Sequence, residues 1–162
     1  MKTQSTIITL GYKDLKENES ITKRDGFITN GNWVFDLDYV NLGTSKAAET
    51  INAHDAIHLY HKKVKLDFPV DLKRIWDREV TDNVTHTFSK LDLSNGRVKN
   101  NKGFIVLFKA ENGTTHGISP QYFNLIKNID GISLHANEGY KYSPIRICIN
   151  NKVIGLLMPM RQ

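Results

Sequence analysis

The sequence predicts an α+β fold of mostly antiparallel sheet, arranged as two pseudo-symmetric halves, each a helix on a sheet. Three observations lead there. Short β-branched and apolar runs recur between Gly and Asn turn signals along most of the chain. Clear helical periodicity is confined to Ser45 to Lys63 and Ser119 to Ile129, with a shorter stretch after Pro69, and strands do not alternate with helices as in a parallel sheet. Two stretches also echo each other. Gly26-Phe27-Ile28-Thr29-Asn30-Gly31-Asn32-Trp33 and Gly113-Thr114-Thr115-His116-Gly117-Ile118-Ser119-Pro120 each give a Gly, a short strand and a helix-capping residue. The 162 residues suit one domain, with halves at approximately 1–80 and 81–162.

Taken in order, Thr6 to Leu10 alternates and is β-branched, which predicts an opening strand. Lys13 to Arg24 is polar and reads as a loop or exposed hairpin. Gly26 to Gly31 is a short strand closed by the Asn30-Gly31 turn signal. Asn32 to Val40 fits either a short helix capped by Asn32 or a strand from Trp33 to Leu37. Ser45 caps a helix running to Lys63, with Ala47, Ala48, Ile51, Ala56, Ile57 and Tyr60 as its apolar stripe and a soft interruption at Asn52 and Asp55. Val64 to Phe68 is a strand, and Pro69 opens a short helix carrying Leu72, Ile75 and Trp76.

From Val80 the period becomes two. A strand through Val84, His86 and Phe88, a bend from Asn95-Gly96 to Gly103, a strand Phe104 to Phe108, and a turn at Glu111-Asn112-Gly113 predict a three-strand meander ending at Ile118. Ser119 caps the next helix and Pro120 opens it, with Tyr122, Leu125, Ile126 and Ile129 on one face and Phe123 at its border. Ile132 to Ala136, Pro144 to Ile149 and Val153 to Met158 complete the chain as strands, the last two joined by Asn150-Asn151.

Composition narrows the function. Hydrophobic content of 40% with 24% charged residues places the chain among globular proteins rather than disordered ones. No run approaches the roughly 18 apolar residues of a membrane span. The N-terminus is too short and too polar for a secretory signal, and the single Cys148 makes no internal disulfide, so a cytoplasmic setting is expected. A net charge of +5 permits a polyanionic partner without demanding one.

No nucleophile, phosphate-loop or paired-cysteine signature stands out, and neither catalysis nor a cofactor is expected. His54, His58 and His61 would share one face of the first helix and present three imidazoles to a metal, but such histidines are more often exposed or half-buried neighbours, and no metal is expected. Asp36 and Asp38 share a side only in a strand, and a carboxylate pair needs a cleft to work as acid and base. Cys148 reads as a small core residue. The basic residues say more. Lys62, Lys63, Lys73, Arg74, Arg78 and Lys127 are the candidates for facing DNA, with Arg97, Lys99 and Lys102 in the long hairpin.

Ile118-Ser119-Pro120-Gln121-Tyr122-Phe123-Asn124-Leu125-Ile126-Lys127, then Ser143-Pro144-Ile145-Arg146-Ile147, then Leu156-Leu157-Met158-Pro159-Met160-Arg161 resembles the end of the bacterial sliding clamp, the β subunit of DNA polymerase III. The Met-Pro-Met-Arg ending is the most specific part. The resemblance implies a domain of two similar halves, assembly of several domains into a ring around double-stranded DNA, and docking of replication proteins near the C-terminus. By motif match, Leu156, Met158, Pro159, Met160 and Arg161 would border the partner-peptide pocket, with the methionines as an adaptable wall. A full clamp subunit has three such domains and this chain has length for one, so a ring requires a homo-oligomer. The Ile-, Lys- and Asn-rich composition suits a phage or mobile-element gene. The expected function is therefore a non-enzymatic clamp-like protein of DNA replication; the alternative is a phage adaptor or decoy that inhibits a host replication or defence protein.

Overall fold

The computed structural model describes residues 8–11, 15, 20–60, 63–66, 71–82, 87–100 and 104–160. Sheets dominate: the described residues form fourteen strands and three α-helices, in two compact units, Ile7–Asp82 and the segment Asn83–Gln162.

In the first unit, β1 (Ile8–Thr9) pairs in parallel with β5 (Val40–Asn41). The other strands are β2 (Ile21–Arg24), β3 (Phe27–Thr29), β4 (Trp33–Asp36), β6 (Ile57–Tyr60) and β7 (Lys63–Lys65), antiparallel in the order β7-β6-β2-β3-β4. The polar stretch read as a loop or exposed hairpin thus ends in the first strand of a hairpin, with Ile21 and Thr22 buried rather than exposed. Its turn to β3 is Asp25-Gly26, both at positive φ (57° and 87°), the geometry of a two-residue hairpin turn. After β3, the Asn30 side chain accepts from the amides of Asn32 and Trp33 at 2.8 and 3.1 Å and turns the chain directly into β4. Asn32 therefore caps no helix, and at that position the echo with the later stretch ends. Trp33 and Phe35 alternate inward from β4 and stack at 4.5 Å; Asp36 then caps a 3-10 turn by accepting from Asp38 N–H.

Ser45 caps α1 (Lys46–Asn52) as expected, its Oγ accepting from Ala48 N–H at 3.1 Å, with Ala48 and Ile51 buried. The helix stops at Asn52 instead of reaching Lys63. Ile57 and Leu59 are buried at a spacing of two, paired with β2, so the apparent helical stripe beyond Asn52 is a strand pattern. The helix α2 (Leu72–Trp76) is capped by Asp71, whose carboxylate accepts from Arg74 N–H at 3.0 Å; Pro69 lies outside the described residues. Its Trp76 stacks on Phe27 at 4.7 Å, and a π-helical turn, Asp77–Thr81, continues it.

The second unit holds two sheets. One is β11-β10-β9, from β9 (Arg97–Asn100), β10 (Phe104–Lys109) and β11 (Thr115–Ile118), all antiparallel. The meander expected from sequence is present with a different member: part of the expected bend is β9, while β8 (Phe88–Lys90) pairs with β12 (Ile132–Asn137). With β13 (Ile145–Ile149) and β14 (Lys152–Leu157), these form the run β14-β13-β12-β8. Between the sheets in sequence lies α3 (Pro120–Ile126), entered through Ser119-Pro120. Asn150 and Asn151 adopt φ of 50° and 69°, the hairpin turn their pairing predicts. Leu134, Ala136, Ile145, Ile147, Ile149 and Leu157 are buried on one face of the second sheet, each leucine or isoleucine contributing about 1.5–3 kcal/mol. Phe123 of α3 packs on Phe108 of β10, with ring centres 4.9 Å apart.

Candidate functional site

The end of β14 divides the C-terminal motif in two. Leu156 and Leu157 are buried (3% and 1% exposed), whereas Met158 and Met160 beyond the strand are 41% and 37% exposed. Leu156, expected at a pocket edge, is thus a strand core residue, and Arg161 lies outside the described residues. The exposed tail is tethered. Met160 donates its N–H to the carbonyl of Gly117 at 2.8 Å and forms an antiparallel bridge with it.

Gly117 makes that approach feasible. A Cβ there would stand 2.8 Å from Ile105 Cγ2 and 2.9 Å from the Met160 carbonyl oxygen, closer than real Cβ atoms come. Residues opposite one another in antiparallel register share a sheet face. Arg97 opposes Leu107, Leu107 opposes Gly117, and Gly117 opposes Met160, so these four form one row across the strands. The neighbouring rows of that face hold Lys99 opposite Ile105 and Lys109 opposite Thr115. The reverse face belongs to the core, with Phe108, His116 and Ile118 at most 3% exposed.

On this face Ile105 and Leu107 are buried, at 8% and 9% exposed, and with the Met160 carbonyl they fill the space over Gly117; Met160 itself is exposed, and Arg97, Lys99 and Lys109 are the cations of the face. A cavity of about 670 Å³ opens beside the cations, lined by Arg97, Lys109, Leu107, Thr115, Ser94 and Asn95 among others, and neither Met160 nor Gly117 lines it. Among the described residues no carboxylate lines it. Asp92 lies beside it but is turned onto its own backbone, accepting from Ser94 N–H, Ser94 Oγ and Asn95 Nδ2. The Ser94 bonds hold the Asp92 carboxyl below its usual range. The Glu111 charge acts on His135, a residue of the other sheet.

The other sequence candidates are dispersed. Lys63 is exposed on the strand β7 rather than on a helix, Lys127 closes α3, and Lys62 lies outside the described residues. On α2, Lys73 bonds Asp77 at 2.8 Å and Arg78 bonds Glu79 at 2.9 Å. The first contact raises the Lys73 pKa and lowers that of Asp77. The imidazole face does not form: His54 lies past the end of α1, and His58 is on β6 with Nδ1 2.7 Å from Thr22 Oγ1. His61 is outside the described residues, among which no group of metal-binding side chains gathers. Cys148 is buried on β13, and burial raises its thiol pKa.

Sequence reasoning named the methionines but missed Ile105, Leu107, Gly117 and Lys109 as their companions, and placed Arg97 and Lys99 in a bend. The chain matches no protein-family model, and comparison with curated proteins and with solved structures gives no match either. Among the described residues no helix is long and apolar enough to cross a membrane.

Proposed function

We propose that this chain is a clamp-like, non-enzymatic protein of DNA replication that docks partner peptides against its C-terminal tail and assembles as a homo-oligomer near or around double-stranded DNA. One observation carries the docking part. Met158 and Met160 stand exposed directly after the buried end of β14, and Met160 is held in place by its bridge to Gly117. Flexible thioethers on a fixed backbone suit the reception of varied apolar side chains. The clamp part rests on the resemblance of the tail, together with the course of the second unit: strand, helix and three antiparallel strands in succession, β11-α3-β12-β13-β14, ahead of that tail. The two-half symmetry belongs to the same proposal.

A second reading is favoured by α2. There Lys73, and Arg78 on the turn that continues the helix, are paired with Asp77 and Glu79, which leaves a poor DNA-facing surface. An adaptor or decoy that binds a host replication or defence protein needs the tail but no DNA. Light scattering with and without duplex DNA separates the two. The clamp reading expects a multi-copy species that binds duplex at low salt; a monomer indifferent to DNA removes it and leaves the adaptor. Proteins captured from bacterial lysate and identified by mass spectrometry test the docking common to both. Replication, repair or defence proteins should be lost with Met158→Ala/Met160→Ala, and an unchanged set would overturn docking at the tail.

A further inference from the structure

We propose that the cavity beside Arg97 and Lys109 binds a small phosphorylated sugar or polyol, its phosphate held by the two cations and its hydroxyls by Ser94 and Asn95. Neither exposed methionine lines this cavity, and the proposal stands independently of docking at the tail. Three features set it: two cations placed together, the acids sorted away from them, and a pair of acceptors fixed by Asp92.

Register places the cations. Arg97 lies opposite Leu107, and Lys109 is two residues farther along β10 on the same face. The two are therefore diagonal neighbours across the strand pair, roughly 7–8 Å apart at the backbone. Side chains of their length can meet on one phosphate, Arg97 through two parallel bonds and Lys109 as a point charge. Neither forms an ion pair with a described residue. Like charges held as neighbours repel, and an anion between them removes that cost. The nearby acids are sorted into another cavity: Asp92 and Glu111, with Lys90, line a space of about 450 Å³. The cavity of Arg97 and Lys109 thus has two cations and, among the described residues, no carboxylate.

Asp92 also decides what the polar wall offers. Its carboxyl is held below the usual range, so at neutral pH it is ionised and can only accept. Ser94 Oγ at 2.6 Å and Asn95 Nδ2 at 2.7 Å are therefore its donors. With its hydroxyl proton committed, Ser94 keeps Oγ as an acceptor, and Asn95 keeps Oδ1. Two cationic donors and two fixed acceptors match a ligand with a phosphate at one end and hydroxyl groups at the other. A small ligand fits better than a nucleic acid. The volume of about 670 Å³ lies in the range of small-molecule sites. Among the described residues no aromatic side chain lines the cavity to stack a base, and Lys99, the third cation of the face, stands outside it.

Isothermal titration calorimetry of the full chain at low salt tests this. The probes are glucose 6-phosphate, ribose 5-phosphate and glycerol 3-phosphate, each against ethyl phosphate, which keeps the ester phosphate and has no hydroxyl on its carbon chain. At least one of the three should bind about tenfold more tightly than ethyl phosphate. Arg97→Gln/Lys109→Gln alters two exposed side chains and should weaken that ligand at least about tenfold with the urea midpoint unchanged. Met158→Ala/Met160→Ala should leave it bound as before, so that loss of tail docking and loss of this site are read separately. No binding of any of the three, or binding indifferent to Arg97 and Lys109, would overturn the site. Ethyl phosphate binding as tightly as all three would overturn the assignment to a hydroxylated ligand. An oligothymidylate that binds and is weakened by Lys99→Gln, where the sugar phosphates do not bind, would assign the cations to nucleic acid instead.

Discussion

The helix α2 with the π-helical turn that continues it, and the odd-numbered face of β9 and β10, each carry three cations, and the two surfaces differ in what surrounds them. On α2, Asp77 sits one turn from Lys73, Glu79 is next to Arg78, and Asp71 caps the helix start at Arg74 N–H. Its cations and acids lie within a turn of each other, so the helix presents little net field and its ion pairs are exposed and salt-screened. On the sheet face, register brings Arg97, Lys99 and Lys109 together from two strands, while the adjacent Asp92, whose N–H donates to the Lys109 carbonyl, has its carboxylate taken up by Ser94 and Asn95. Two equal counts of Lys and Arg thus give a balanced surface in one case and an unbalanced one in the other. A patch is defined by where its counter-charges go, and for the sheet that depends on pairing between strands.

Gly117→Val is the harshest way to break the contrast, because it attacks the element that joins the tail to the cationic face. Its branched side chain would collide with Ile105 and the Met160 carbonyl. Urea denaturation should show a loss of about 1–3 kcal/mol, with docking lost as the tail is displaced. Next in size is Met158→Ala/Met160→Ala, which should remove the captured partner proteins with little change in the urea midpoint, since both side chains are exposed. A pH series gives a smaller effect. His116 lies on the core face of the same sheet, where burial, then the nearby Lys141, holds its pKa below the ordinary value. Its neutral form is favoured when folded. As pH falls through about 6.5 the unfolded chain takes up the proton first, so stability present at neutral pH is lost on acidification. Thermal melts between about pH 7.5 and about pH 5.5 should show a falling Tm, with a shallower slope in His116→Gln. His58 and His135, also lowered chiefly by burial, would leave a residual slope. Smallest of all, Lys73→Gln/Arg78→Gln should leave partner capture unchanged and shift stability by no more than about 0.5 kcal/mol.

The same contrast marks what the sequence could disclose. Features set by a few consecutive residues were legible: the Ser45 cap, the Ser119-Pro120 entry to α3 and the Asn150-Asn151 turn. The last strand was read to Met158, whereas β14 ends at Leu157. Asp25-Gly26 was an equally plain hairpin signal, and taking it at face value would have found β2. The segment after Asn52 misled because Ile57 and Tyr60 fit a helical stripe, while Ile57 and Leu59 fit a strand; pairing with β2 selects the strand. The candidate site was half legible. Met158 and Met160 announce themselves by position, but Leu107, Gly117 and Arg97 join them only through a register spanning three strands and the tail. The glycine at 117 read as part of a strand-to-helix passage, with nothing local to show that a second backbone lies against it.

The account turns on whether partners meet the tail. Methyl NMR of the chain labelled at methionine measures this directly, with the Met158 and Met160 signals assigned through the Met158→Ala and Met160→Ala variants. On titration with a partner protein captured from lysate, the Met158 and Met160 methyls should shift while the amides of α2 stay in place. Stationary methionine methyls, with the shifts falling on Lys73, Arg74 and Arg78 instead, would contradict it.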